Sequence, residues 1–105
     1  MAQPLVTDLF GTGSAYDATA KKLTIPLTAL PALTAANPTP LELYAAIIQY
    51  AHNFLNANTD QSVLAASDIT IQSPYPRNSI NKTQFQYAVR FYGPYAQPTF
   101  DPNTV

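Results

Sequence analysis

The stretch of sequence that decides the fold is residues 39–56, TPLELYAAIIQYAHNFLN. Thr39 can accept a hydrogen bond from the amide of Glu42, and the Glu42 side chain can accept one from the amide of Thr39. Pro40 stands at the first helical position, where its missing N–H costs nothing. The stretch therefore predicts a helix that begins after Thr39 and ends near Asn56.

Two faces separate when the residues of this helix are placed at 100° intervals. The polar residues fall in an arc of roughly 100° and the apolar residues fill roughly 160° on the opposite side. A helix that packs on one sheet needs an apolar stripe of only about 100°, so we expect this helix to be covered on two sides. The polar residues are Glu42, Gln49, His52, Asn53 and Asn56, and the apolar ones are Leu43, Tyr44, Ile47, Ile48, Tyr50, Ala51, Phe54 and Leu55.

Two later segments alternate apolar and polar residues with a period of two, which is the pattern of half-buried strands. These segments are Asp68 to Ser73 and Thr83 to Gly93. The residues between them, 74–82, are rich in turn formers and predict a long hairpin loop that joins antiparallel neighbours. The apolar positions of the two strands are Ile69, Ile71, Phe85, Tyr87, Val89 and Phe91.

A third alternating segment, residues 23–27, contains Pro26, which cannot donate a hydrogen bond to a neighbouring strand and so predicts an edge strand. Residues 16–21 resemble a tight turn that leads into a hairpin, with Leu5 to Phe10 as the possible partner strand. For residues 59–66 a loop and a short second helix both stay open. The order of elements predicts an α+β fold, in which a small antiparallel sheet of two β-hairpins packs against one amphipathic helix.

The chain is long enough for one domain, which we predict to span residues 1–92. Residues 93–105 contain three prolines and no periodicity, and they predict an extended C-terminal arm. Disordered tails are ordinarily charged and poor in aromatic residues. Because this segment instead carries Tyr95 and Phe100, we expect the arm to pack on its own domain or on a neighbour.

Charge is scarce in this chain of 105 residues, which has five Lys and Arg, six Asp and Glu, one histidine and no cysteine. Soluble domains are usually near a quarter charged, so most of the groups that perform acid–base, nucleophilic and metal chemistry are missing. Five scattered cations are too few to neutralise phosphates, and no nucleic-acid partner is expected. The sequence therefore argues against an enzyme and predicts no cofactor.

The sequence contains no motif for acid–base catalysis or metal binding. His52 has no carboxylate three or four residues away, and we interpret it as a surface or boundary histidine rather than a general base. The aspartates lie singly, without the spacing of metal ligands. The start of the chain lacks a signal-peptide pattern and no apolar run could span a bilayer. We expect no metal and no membrane, and a location in the cytoplasm or within an assembled particle.

The seven tyrosines and five phenylalanines are too many for one small core. An aromatic surface with few charges is typical of the centre of a protein interface. We therefore interpret the chain as a non-enzymatic structural or assembly subunit that contacts copies of itself or other structural proteins. The predicted interface residues are Tyr44, Tyr50, Phe54, Tyr92, Tyr95 and Phe100.

An alternative remains open, namely a small ligand-binding or regulatory module. Its aromatic pocket would lie between the helix and the sheet, lined by Tyr44, Tyr50, Tyr87 and Phe91. The C-terminal arm distinguishes the two hypotheses, because a pocket protein does not need it. In its uncharged, Thr-, Ala- and Asn-rich composition the chain resembles small structural proteins of tailed phages, such as head-decoration, connector or tail subunits. This resemblance implies a virion component and transfers no site residue.

Overall fold

The computed structural model describes residues 4–64, 66–93 and 99–105. Contacts within the chain divide it into two compact units, Met1–Ala57 and Asn58–Val105. The first unit contains α1 (Val6–Phe10), β1 (Ala15–Asp17), β2 (Lys22–Thr24) and α2 (Pro40–Ala57). The second unit contains α3 (Gln61–Leu64), β3 (Ser67–Ile71), β4 (Tyr75–Arg77), β5 (Lys82–Gln84) and β6 (Tyr87–Phe91).

Helix α2 is the main helix of the chain, and it begins where the sequence predicts. The Thr39 amide donates to Glu42 Oε1 at 2.9 Å, and the Glu42 amide donates to Thr39 Oγ1 at 3.2 Å. These bonds satisfy amides that a helix start would otherwise leave free. The hydrogen bond from the Thr39 backbone lowers the pKa of Glu42 from its usual value. The predicted helix and its N-terminal cap are confirmed.

Helix α1 corrects the prediction of a strand over Leu5 to Phe10. The Leu5 amide donates to Asp8 Oδ2 at 2.8 Å, which satisfies a free amide at the helix start. At the other end Gly11 adopts φ +99° and its amide donates to the Thr7 carbonyl at 3.1 Å. A carboxylate three residues into the segment and a glycine at its end together favour one short helix over a strand.

The first hairpin pairs β1 with β2 in antiparallel register, with Ala15 opposite Thr24 and Asp17 opposite Lys22. Its tight turn is closed by Asp17 Oδ1, which accepts from the amides of Thr19 and Ala20 at 3.0 and 3.1 Å. The partner of the 22–24 strand is therefore β1 and not residues 5–10. The predicted edge strand over 23–27 is shorter than expected, because Pro26 caps a turn of 3-10 helix, Leu27–Ala29.

The first unit buries Ala29, Leu30, Ala46 and Leu55. Within this unit α2 packs against α1, and α1 in turn contacts β1. Ala46 and Leu55 are nine residues apart, which places them about 180° from each other around the helix. Leu55 belongs to the predicted apolar face, whereas Ala46 lies outside it, between Asn53 and Tyr50 around the helix, so the breadth of that face does not account for both buried positions.

The second unit contains the antiparallel pair β3 and β6, with Ile69 opposite Val89 and Ile71 opposite Tyr87. The prediction that these two segments are antiparallel neighbours is confirmed. The long loop predicted between them is instead a second hairpin, in which β4 pairs with β5. Its turn requires a left-handed residue, and Asn81 supplies it at φ +53°. The strand predicted over Thr83 to Gly93 is accordingly divided, because its start pairs with β4 and its end with β3.

The remaining segments settle two further points. Residues 59–66 include the short helix α3, which decides between the two alternatives that the sequence left open. Near the C-terminus Pro102–Thr104 form a turn of 3-10 helix, capped by Asp101, which accepts from the Asn103 amide. That hydrogen bond lowers the pKa of Asp101.

The fold class is α+β, as predicted, with one main helix and small antiparallel sheets of two strands each. The division into a domain over residues 1–92 and an arm over 93–105 stays a prediction. Among the described residues no helix is both long enough and apolar enough to cross a membrane.

Candidate functional site

A cleft of about 470 Å³ opens within the first unit. One wall is α2, the other is α1 together with the loops that follow α1 and the 3-10 turn. The volume lies in the range that is typical of small-molecule sites. The lining residues are Thr7, Asp8, Thr12, Leu30, Pro31, Ala32, Ala46, Gln49, Tyr50, Asn53 and Phe54.

The α2 wall consists of two parallel rows of side chains. Gln49 and Asn53 are four residues apart, as are Tyr50 and Phe54, so each pair stacks on one side of the helix. Ala46 lies beside both rows and is buried. The small alanine leaves room between the helices, while the rows above it present amides beside aromatic rings.

The opposite wall depends on a close backbone approach at Gly11. A Cβ atom at this position would lie 2.2 Å from the Ala29 carbonyl oxygen, and the backbone already has φ +99°. Only glycine meets both conditions. The buried Ser14 hydroxyl donates to the Phe10 carbonyl at 2.8 Å and holds the chain after α1 in place.

The cleft is almost without charge. Asp8 is the one ionisable carboxyl or amino group among the lining residues, and its Oδ2 atom already accepts the Leu5 amide at 2.8 Å. No lysine or arginine lines the cleft. The arrangement can therefore donate and accept hydrogen bonds and pack against apolar groups.

His52 lies on α2 next to this wall but is not one of the lining residues. It is half-buried, with its Nδ1 atom 3.4 Å from Asn53 Oδ1. This position is consistent with the boundary histidine that the sequence predicts. In the part of the chain that the structure describes, no three His, Asp or Glu side chains cluster in a way that could hold a metal ion.

A second candidate surface lies in the second unit, on one side of the β3–β6 pair. Residues directly opposite each other in register share a face. We call this side the apolar sheet face. Ile69 is buried, but Ile71 is 48% exposed and Phe91 52% exposed. The face consists of Ile69, Ile71, Tyr87, Val89 and Phe91.

The C-terminal segment reaches this face through one aromatic contact. The Phe100 ring stacks on Phe91 with centroids 5.3 Å apart and an interplanar angle of 22°. Phe100 itself is 56% exposed. The stack therefore extends the apolar sheet face and leaves the outer side of the Phe100 ring open to solvent.

The other side of the β3–β6 pair carries a closed polar cluster. Arg90 donates from Nη1 to Asp68 Oδ1 at 3.0 Å and to Thr70 Oγ1 at 3.2 Å, and the Tyr92 hydroxyl donates to Asp68 Oδ2 at 2.8 Å. The bonds from Tyr92 and then Arg90 lower the pKa of Asp68, while the carboxylate raises the pKa of Tyr92. Because these groups satisfy one another, we interpret the cluster as a cross-strand clamp.

The predicted interface residues are distributed over several surfaces. Tyr50 and Phe54 lie together in the cleft, whereas Tyr44 is 65% exposed on α2 and is absent from the cleft lining. Tyr92 belongs to the polar cluster, and Phe100 extends the apolar sheet face. Tyr95 lies outside the described residues.

For the pocket hypothesis, Tyr44 and Tyr50 belong to the first unit, and Tyr87 and Phe91 to the second. A pocket between the helix and the sheet stays a prediction. The sequence places Gln49 and Asn53 on the polar side of α2, where both are exposed, and it did not nominate them for a site. The signal that could have indicated the cleft is the spacing of four residues between Gln49 and Asn53, next to the same spacing between Tyr50 and Phe54.

The chain was compared with models of known protein families, with curated proteins and with solved structures. No family model matches it, and no curated protein or solved structure shows significant similarity to it.

Proposed function

We propose that this chain is a non-enzymatic assembly subunit that packs against copies of itself or against another structural protein. The observation that carries the proposal is the apolar sheet face. Its large apolar side chains lie on one side of a two-stranded sheet, and most of them stay at least partly exposed. Contiguous apolar surface of this kind marks interaction sites on proteins.

The sheet itself supports the same conclusion. In the described residues β3 pairs only with β6, so each strand has one edge without a strand partner. A two-stranded sheet is marginally stable in water unless its apolar face is covered or further strands join it. Contact with a second molecule would supply that cover, and each 100 Å² of apolar surface removed from water would contribute roughly 2.5 kcal/mol.

The small core of the described residues adds a further argument. No large side chain among them is fully buried. The buried apolar residues are Ala29, Leu30, Ala46, Leu55, Val63 and Ile69. The exposed large ones outnumber them and include Leu41, Tyr44, Ile71, Tyr75, Ile80, Phe85, Phe91 and Phe100. An assembled subunit buries such side chains in its contacts.

The proposed contacts are apolar because few charges are available to steer or bind a partner. The chain has a net charge of −1, and the Arg90–Asp68 pair is already formed at 3.0 Å. We therefore expect assembly that is insensitive to salt. The composition, which is similar to that of small structural proteins of tailed phages, favours a particle component and a location in the cytoplasm or in a particle.

The test is the solution mass, measured by light scattering at low and at high salt. The full chain should form an oligomer whose mass does not change with salt. A charge placed on the apolar sheet face by Ile71→Lys should lower the mass to that of a monomer. The matched control is Gln72→Lys, which adds the same charge at the next, exposed position and should leave the oligomer intact.

A chain that ends at Tyr92 lacks Phe100 and should also assemble more weakly, because the aromatic stack on Phe91 is lost. A monomeric full chain at both salt concentrations would contradict homo-oligomeric assembly. An oligomer that survives Ile71→Lys and the truncation equally well would show that the contacts lie elsewhere.

A further inference from the structure

We infer that the cleft of the first unit binds a neutral, hydroxyl-rich small molecule, with a mono- or disaccharide as its chemical class. This inference does not rest on assembly, because none of the lining residues belongs to the apolar sheet face. It follows from the volume of the cleft, its lack of charge and the arrangement of its amides and aromatic rings.

The polar groups of the cleft match hydroxyl groups. Gln49 and Asn53 each carry an amide that offers donors and an acceptor, and Thr7 and Thr12 each offer a hydroxyl that does both. A sugar hydroxyl also donates and accepts, so it can pair with either kind of group. Within the described residues the side chains of Thr7, Thr12 and Gln49 form no hydrogen bond to another residue.

The aromatic side chains of the cleft suit the apolar C–H side of a sugar ring. Tyr50 and Phe54 lie one helical turn apart in the same wall. The C–H groups on one side of a sugar ring pack favourably against aromatic faces, which are electron-rich. An aromatic row beside an amide row therefore presents the apolar and the polar parts of a sugar with the contacts that each needs.

Charge excludes two other ligand classes. An anion such as a phosphate would meet no lysine or arginine in the lining, and it would lie near the Asp8 carboxylate. A metal ion would find that one carboxylate, with one oxygen already bonded to the Leu5 amide at 2.8 Å. The second oxygen of Asp8 can still accept from a hydroxyl, and such a charge-assisted bond is stronger than a neutral one.

A peptide is also disfavoured by the geometry of the walls. Extended peptides commonly bind by adding a strand to the edge of a sheet. None of the cleft-lining residues belongs to a strand, since they come from helices α1 and α2 and from the loop residues Thr12, Leu30, Pro31 and Ala32. The cleft therefore offers no strand edge for a peptide to extend, which favours a compact ligand of about the size of the cavity.

The experiment is a titration of the full chain followed by NMR, with the side-chain NH₂ signals of Gln49 and Asn53 as reporters. The probes are glucose, galactose, mannose, N-acetylglucosamine and maltose, with inorganic phosphate as an anionic comparison. We expect at least one sugar to shift both reporter signals in a saturable way up to tens of millimolar. Phosphate should leave both signals in place.

Two variants test whether the shift reports the cleft. Gln49→Ala and Tyr50→Ala should each weaken sugar binding by about five- to tenfold, the effect of removing one hydrogen bond or one ring contact. The control is Asn56→Ala, because Asn56 lies on the same helix but does not line the cleft. This substitution should leave the affinity for sugar unchanged. Far-UV circular dichroism confirms that each variant keeps its helix.

The inference is overturned if no sugar shifts the reporters, or if all three variants bind equally well. It is also overturned if phosphate shifts them instead. Reporter signals that move with protein concentration and not with sugar would identify the cleft as a contact between copies. That outcome would reject the sugar site and still leave the proposed assembly standing.

Discussion

Gly11→Ala should destabilise the protein more than a glycine-to-alanine substitution at any other glycine of the described residues. Gly11 has φ +99° and ψ 162° as the C-terminal cap of α1. This backbone conformation is accessible almost only to glycine, and a residue with a side chain pays about 1–3 kcal/mol to adopt it.

The added methyl group also collides with a neighbouring segment. The new Cβ would lie 2.2 Å from the Ala29 carbonyl oxygen, 2.7 Å from the Ala29 Cβ and 2.8 Å from the Ala29 carbonyl carbon. Backbone atoms cannot move aside as the end of a flexible side chain can, and overpacking of this kind costs about 1–3 kcal/mol. The two contributions together predict a loss of about 2–6 kcal/mol in the free energy of unfolding.

Gly13→Ala is the matched control. Gly13 also has a positive φ, +90°, but its Cβ would meet only the Pro26 Cγ atom, at 3.2 Å. The control therefore shares the backbone strain and lacks the collision with backbone. Urea denaturation followed by far-UV circular dichroism gives both free energies. If Gly11→Ala cost no more than Gly13→Ala, the close approach of α1 to Ala29 would be refuted, together with the cleft wall that it forms.

Two further predictions concern hydrogen bonds that the structure defines. Thr39→Ala should lower the free energy of unfolding by about 1 kcal/mol in urea denaturation, because it removes the N-cap of α2. Thr39→Ser keeps the hydroxyl and should keep most of the stability. Equal stability of all three proteins would contradict the cap. Because hydrogen bonds from Tyr92 and Arg90 lower the pKa of Asp68, its contribution to stability is present above the unfolded pKa of about 3.9 and is lost as pH falls further. Asp68→Asn should therefore flatten the acid side of the stability–pH curve, and an unchanged curve would argue against the clamp. The raised pKa of Tyr92 has the opposite sign, so its contribution is present below about pH 10 and is lost at higher pH, a loss that Tyr92→Phe should remove.

The parts of the fold that the sequence predicted correctly are those encoded by local signals. The cap at Thr39 and Glu42 needs only residues three positions apart, and both hydrogen bonds are present. The pairing of β3 with β6 follows from two alternating segments and the turn formers between them. Nearby residues carry the whole pattern of the cap, whereas the strand pairing was inferred from two separate local patterns and the turn formers between them.

The errors arose where local and tertiary signals compete. Residues 5–10 carry a strand-like mixture of apolar and polar residues, but the Asp8 carboxylate and Gly11 favour a helix. The segment before Phe85 pairs with β4 rather than with β3, and composition alone does not reveal a hairpin nested in a loop. Strand register depends on partners that are distant in sequence, and period-two alternation does not name the partner.

The cleft was missed for a related reason. A helical projection divides α2 into a polar and an apolar side, and Gln49 and Asn53 were assigned to solvent because they are polar. In the structure both are exposed, as their polar character predicts, and they also line a cleft that includes Thr7 and Asp8 of α1. The strand predicted over residues 5–10 left no helix to form the second wall of this cleft. The same dependence makes Gly11→Ala a test of both fold and site, since moving α1 away from Ala29 would displace the wall that carries Asp8.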